Sequence, residues 1–167
     1  MMKNLKSLLI ATVLFLGASQ VATAQAKVAH VDVDELMSKY PAMMDAEKQM
    51  QTLSKTYQND YATSLKEYQE KMKKYESESG TVGDKVNGER QKEMLEMEKN
   101  IQQYGQTAQK EIEIKQGDLL KPIQEKVKLA IQKVGKAKGF QYILDSRGLL
   151  MADGPNITAD IKKELGF

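Results

Sequence analysis

The chain has 167 residues, 25 Lys and Arg against 23 Asp and Glu, no cysteine, no tryptophan, one histidine and 6% aromatics. That length is one modest domain or two small ones, and a charged fraction of 29% points to much exposed, helical surface. Without cysteine there are no disulfides, thiol nucleophiles or lipid attachment through cysteine, His30 alone leaves transition metals little to bind, and a net charge of +2 does not indicate nucleic acid.

Residues 1–24 read as an export signal. Lys3 and Lys6 form a positive start, Ser7 to Ala18 is an apolar run, and Ala22-Thr23-Ala24 supplies the small residues of a cleavage site. The run is too short for a membrane span. Cleavage after Ala24 removes two lysines and no acid, so the remaining 143 residues carry 23 basic and 23 acidic groups and no formal net charge. The product is expected to be exported and soluble.

Lys27 to Val33 is short and β-branched and predicts a strand. Asp32 with Glu35 three positions on predicts a capping box for a short helix through Met37. Pro41 sits where prolines start helices. From Ala42 to about Glu76 there is neither Pro nor Gly, and Met50, Leu53, Tyr57, Tyr61, Leu65, Tyr68, Met72 and Tyr75 recur every 3.57 residues or so, between the coiled-coil and straight-helix periods. Ser77 to Gly88, with three glycines, predicts a tip loop near 77–88. A second stripe follows through Met94, Met97, Ile101, Tyr104, Ala108, Ile112, Leu119, Ile123, Val127 and Val134, closed by Gly139.

Two long periodic helices joined by one loop predict an antiparallel hairpin in which residue i lies near residue 164 − i. Ala42 then faces Pro122, an interior proline that bends a helix, so 42–122 forms an arm and 25–41 with 123–167 forms a body. At 1.5 Å per residue each leg is about 50 Å long, so the arm must project. Gly117 and Pro122 are the expected hinge. In the body, Phe140 to Asp145 predicts a strand, Ser146-Arg147-Gly148 a turn, Leu149 to Met151 another strand, and Thr158 the cap of a last helix through Leu165. The fold class is α+β, mostly α. A body this small with short strands has open sheet edges, and oligomerisation is the physical remedy. Val28, Val31, Val33, Tyr142, Ile143, Leu144, Leu149 and Leu150 are the expected oligomer interface.

The hairpin stripe uses Met and Tyr where a packing-optimised coiled coil uses Leu, Ile and Val. Methionine is flexible and polarizable, and tyrosine pairs an apolar face with a wet tip. Met50, Tyr57, Tyr61, Tyr68, Met72, Met94, Met97 and Tyr104 are therefore candidates for contact with a client protein, against the plainer reading that they fill the seam of a spacer. Gly105 and Gly117 each weaken their helix by about 1 kcal/mol relative to Ala. Lys66, Lys71, Lys73 and Lys74 are interleaved with Glu67, Glu70, Glu76 and Glu78 and read as a solvated face. No catalytic constellation, cofactor motif or metal pattern is present: His30 reads as a packed histidine, and Asp145 and Ser146 are merely adjacent.

KVAHVDVDELM, the Met- and Tyr-containing hairpin, KPIQEKV, KGFQYILD and NITADIKKEL together resemble the Skp (OmpH-like) periplasmic chaperone family over essentially the whole chain after the signal. The resemblance implies a homotrimer whose body strands form a small core and whose three hairpins surround a cavity. It implies an ATP-independent holdase for unfolded outer-membrane β-barrel proteins, located in the periplasm. The alternative is a coiled-coil envelope spacer or adaptor without clients. Familiar members have strongly basic arms, whereas this chain is neutral after cleavage, so contact with a membrane surface draws no support from charge.

Overall fold

The computed structural model describes residues 26–167; the expected export signal lies outside the described residues. Strand β1 (Val28–Val31) is followed by helix α1 (Val33–Lys39), long helices α2 (Pro41–Glu78) and α3 (Asp84–Ala137), strand β2 (Tyr142–Asp145), a 3-10 turn (Ser146–Gly148) and helix α4 (Thr158–Leu165).

Local chemistry explains most boundaries. Asp32 caps α1, its Oδ1 accepting from the Glu35 amide at 2.8 Å. The expected reciprocal half of a capping box is absent: the Asp32 amide donates to Thr158 Oγ1 at 2.9 Å, and the Glu35 carboxylate takes Lys39 and Lys162 instead. Pro41 opens α2 at its first turn, where its missing amide costs nothing. Gly139, with φ of 72°, ends the reversal after α3, as a left-handed position requires.

The long helices form the antiparallel hairpin, and Lys71 beside Glu93 and Asp60 beside Tyr104 fall on the expected register. The tip is tighter than expected. Residues 77–78 and 84–88 are helical, which leaves only 79–83 as the connection. Three contacts hold those extra turns. Arg90 pairs with Glu78, its guanidinium lies 4.4 Å from the centroid of the Tyr75 ring, and the Asn87 amide group donates to the Ser79 carbonyl at 3.0 Å. Gly88 is exposed, and a long helix tolerates its penalty of about 1 kcal/mol.

In the body, β1 and β2 pair in parallel, Val28 opposite Tyr142 and Val31 opposite Asp145. A parallel pair needs a long crossover, and here the whole hairpin is that crossover. On its other side β1 is bridged by the segment before α4, His30 donating to the Pro155 carbonyl at 2.9 Å and accepting from the Ile157 amide at 3.0 Å. The expected strand at 149–151 does not form; Leu150 is fully exposed and Met151 is 74% exposed. Both edges of β1 are occupied, and Arg147, bonded to Asp145 and to Asp34, holds the turn against α1 instead of folding the chain back along β2. Thr158 is the first residue of α4 and not its cap; the Asn156 Oδ1 accepts the Thr158 amide at 2.9 Å.

One core serves body and arm root. Ala29, Val31, Leu36, Tyr40, Ile157 and Ile161 pack with Ile123, Val127, Ala130 and Val134 from α3, and Ala46 extends the core into α2. Ile123, Val127, Ala130 and Val134 recur at alternating steps of four and three residues, so at the arm root the stripe read from the sequence is the stripe that is buried.

Candidate functional site

Two helices packed side by side bury only the centre of a shared stripe, and the side chains at the seam decide what is left over. In the arm the buried seam positions are Ala46, Ile101 and Ala108. The bulky candidates are left partly outside. Met50, Tyr57, Tyr68, Met94, Met97 and Tyr104 are half-buried, whereas Tyr61 and Met72 are exposed at 41% and 44%. Ala46, Ile101 and Ala108 occupy the centre of the seam, and the Met and Tyr side chains lie partly outside it.

One margin of the seam is polar. The Tyr57 hydroxyl donates to Glu111 and the Tyr75 hydroxyl donates to Glu93 at 2.6 Å, while Lys71 also pairs with Glu93. Tyr104 donates to Asp60 at 2.9 Å, and its ring meets that of Tyr57 edge-on at 5.9 Å between centroids. The bond to Glu111 pushes the Tyr57 pKa up to about 12. Bonds from Lys71 and then Tyr75 hold the Glu93 carboxyl below its ordinary value. Sequence reasoning missed this network, although its signal is there: Tyr57 and Tyr75, Asp60 and Glu78, and Glu93 and Glu111 are each eighteen residues apart, five turns of a helix. Beside it, Leu53, Tyr57 and Ile114 floor a groove of about 630 Å³.

Other exposed apolar side chains were also missed as site residues: Leu65 at 37%, Leu95 at 60% and Ile114 at 54%. Leu95 and Ile114 fall off the main stripe, and an apolar residue standing off-stripe on a polar helix is the signal that marks them.

The eight body positions divide. Val28, Tyr142, Leu144 and Leu150 are exposed, whereas Val31 is buried in the core of its own chain. Val33, Ile143 and Leu149 are half-buried, and the first two line a second groove of about 770 Å³ with Met37, Val127, Ile131 and Phe140. Among the described residues no strand pairs with the outer edge of β2. Gly117 and Pro122 both lie exposed within the continuous α3. Because Pro122 has no amide hydrogen, the helix lacks one rung of its ladder there.

The family model described as Outer membrane protein (OmpH-like) matches residues 27–165. The chain belongs to the OmpH-like family. Among solved structures, this OmpH-like chain is similar to a candidate outer membrane chaperone (OmpH-like) from Caulobacter crescentus CB15. The two share 15% sequence identity over 84% of each chain, with a TM-score of 0.77, which establishes a common fold. No curated protein matches. Among the described residues no helix is long and apolar enough to cross a membrane.

Proposed function

We propose that this OmpH-like protein is an ATP-independent holdase of the periplasm that keeps unfolded outer-membrane β-barrel proteins from aggregating. The observation that carries the reading is the half-buried Met and Tyr stripe of the arm, a soft apolar surface that a single hairpin leaves uncovered. Family membership supports the same reading. Three copies associate through the outer edge of β2 and the apolar body groove, which places three arms around a cavity. Val28, Tyr142, Leu144 and Leu150 are the exposed groups that such an assembly covers. Many weak apolar contacts then hold a client while the cavity separates its strand edges from other chains. Flexing at Gly117 and Pro122 adjusts the cavity to client size. The reaction needs no catalytic residue and no cofactor.

The deciding experiment is light-scattering mass of the chain from Gln25 to Phe167, alone and after dilution of a urea-unfolded outer-membrane barrel into it. A trimer of about 48 kDa (143 residues left by signal cleavage) that gains one client's mass is the expected result. A trimer that gains nothing while the barrel aggregates leaves a spacer, and a monomer removes the cavity.

A further inference from the structure

The sequence holds two places where an asparagine or aspartate is followed by glycine, Asn87-Gly88 and Asp153-Gly154. Such pairs share one reaction. The backbone nitrogen of the glycine attacks the side-chain carbonyl carbon of the residue before it, and the new C–N bond closes a succinimide ring. The amide hydrogen departs with the side chain's leaving group, as ammonia from asparagine or as water from a protonated aspartate. Water then opens the ring at either carbonyl. One opening gives aspartate, and the other gives isoaspartate, whose main chain runs through the side-chain carbon. Glycine favours the closure because no Cβ obstructs it and its backbone turns freely. In an unstructured chain asparagine reacts faster than aspartate, so sequence alone points to Asn87.

The fold reverses that order. Gly88 lies in the second turn of α3, where the helix ladder commits its amide to the Asp84 carbonyl. The Asn87 side-chain amide donates to the Ser79 carbonyl at 3.0 Å, and Arg90, paired with Glu78, ties the same turn across the tip. Attack there requires the start of α3 to open. Asp153 and Gly154 stand in the irregular chain before α4, and both are exposed. Among the described residues neither the Asp153 carboxylate nor the Gly154 amide has a hydrogen-bond partner, and nothing lies within 4 Å of where Gly154 would carry a Cβ. Nucleophile, electrophile and room for the ring are therefore all free.

We infer that Asp153-Gly154 is a modification site at which the folded protein forms isoaspartate without an enzyme, and that the fold protects Asn87 from the same chemistry. The product stays folded. Among the described residues no backbone hydrogen bond involves Leu150 to Gly154, so this stretch absorbs the extra main-chain atom. The Pro155 carbonyl and the Ile157 amide keep their bonds to His30. What changes is the surface: a carboxylate moves beside Leu150 and Met151, the two most exposed large apolar side chains of the body.

The test gives both positions the same chemistry. Asp153→Asn makes each pair asparagine followed by glycine, so only the surroundings differ. Wild type and this variant are aged at neutral pH, folded and in urea, then digested. Peptide mass reports lost ammonia, and chromatographic retention separates isoaspartate from aspartate. In the folded variant, reaction at position 153 is expected to outrun that at Asn87 by about tenfold, equivalent to a local opening of about 1.4 kcal/mol at the tip. In urea the two rates should converge. Folded wild type should gain isoaspartate at Asp153 and keep its melting midpoint. Gly154 has no positive φ and open space around it, so Gly154→Ala keeps the fold while placing a Cβ in the path of attack, and it should suppress the product. Arg90→Ala, which loosens the tip, should speed the loss of ammonia from Asn87 in folded protein. Equal rates in the folded variant, or a lead for Asn87, overturn the protection. Isoaspartate at Asp153 in the unfolded chain but not in folded wild type overturns the site, and a lowered midpoint in the aged protein overturns the claim that the product stays folded.

Discussion

Gly135 of α3 lies so close to Ile143 of β2 that a Cβ on the glycine would stand well inside van der Waals contact of the isoleucine Cδ1. Helix and strand meet at the one buried glycine of the described chain, and that approach seats the sheet on the core. Gly135→Ala is expected to destabilise the folded body by about 1 to 3 kcal/mol through overpacking. Ile143→Val, which removes the clashing methyl, should recover most of the loss in the double variant. Denaturant melts of the four proteins at one protein concentration measure the coupling; additive effects would show that the contact does not limit packing.

Gly105, on the same helix, is expected to respond with the opposite sign. Its missing Cβ would rest at an ordinary 3.7 Å from the Tyr61 ring. Gly105→Ala should therefore stabilise the arm by about 0.5 to 1 kcal/mol, since it removes backbone freedom from the unfolded chain without a clash. A raised melting midpoint for Gly105→Ala beside a lowered one for Gly135→Ala is the predicted pair.

Acid should loosen the body and the arm together. Glu35 is held below its ordinary value by bonds from Lys162 and then Lys39, Asp145 by Arg147, and Glu93 by Lys71 and Tyr75. A carboxyl whose folded value is depressed adds stability above its unfolded value, and that stability is lost as pH falls through the folded one. Stability should accordingly decline below pH 4.5, the ordinary value for Glu35 and Glu93. Lys162→Met should flatten the part of that decline that belongs to Glu35. A variant profile parallel to wild type would show that the pair contributes nothing.

At the alkaline end the sign reverses. Tyr57 is raised from 10.0 to about 12, first by its bond to Glu111, so the folded arm keeps a proton that the unfolded chain releases. That contribution is complete below pH 10.0 and disappears as pH rises through about 12. Tyr57→Phe, compared with wild type by urea midpoints at pH 9 and at about pH 11.5, should show a smaller drop.

The proposed hinge has its own test. With Pro122→Ala and Gly117→Ala together, the rung missing from α3 is restored and a flexible position is removed. The range of barrel sizes held should narrow, read as the largest client kept soluble. An unchanged range would exclude bending at these two positions.

Much of this architecture was legible because it is local or periodic. The cap at Asp32, the helix start at Pro41 and the reversal at Gly139 follow from chemistry within a few turns of chain, and the two helices of the hairpin follow from their periodicity. The errors lie where a distant partner decides. Leu149 to Met151 has strand composition but no strand beside it, and Thr158 spends its hydroxyl on Asp32 across the core instead of capping α4. The tip was misjudged because its glycines looked like breakers, while Arg90 and Asn87 tie the helix ends across the turn. In the arm the stripe was visible but its two margins were not. A one-dimensional count of Met and Tyr cannot separate a tyrosine bonded to Glu111 from one lying over Gly105.

The parallel pairing of β1 with β2 also sets an order of events. Val28 and Tyr142 are neighbours in the ladder, yet the whole hairpin lies between them in sequence. The hairpin between them closes through contacts that start at its own tip, and local contacts form fast. Strand pairing must wait for the last quarter of the sequence. A chain threaded through a membrane from its N-terminus would therefore present β1, with Ala29 and Val31 uncovered, long before its partner arrives. During that interval the chain carries one bare strand. Under the holding function proposed above, folded copies would shelter it, so the rate at which the pool of folded protein grows would rise with the amount already present.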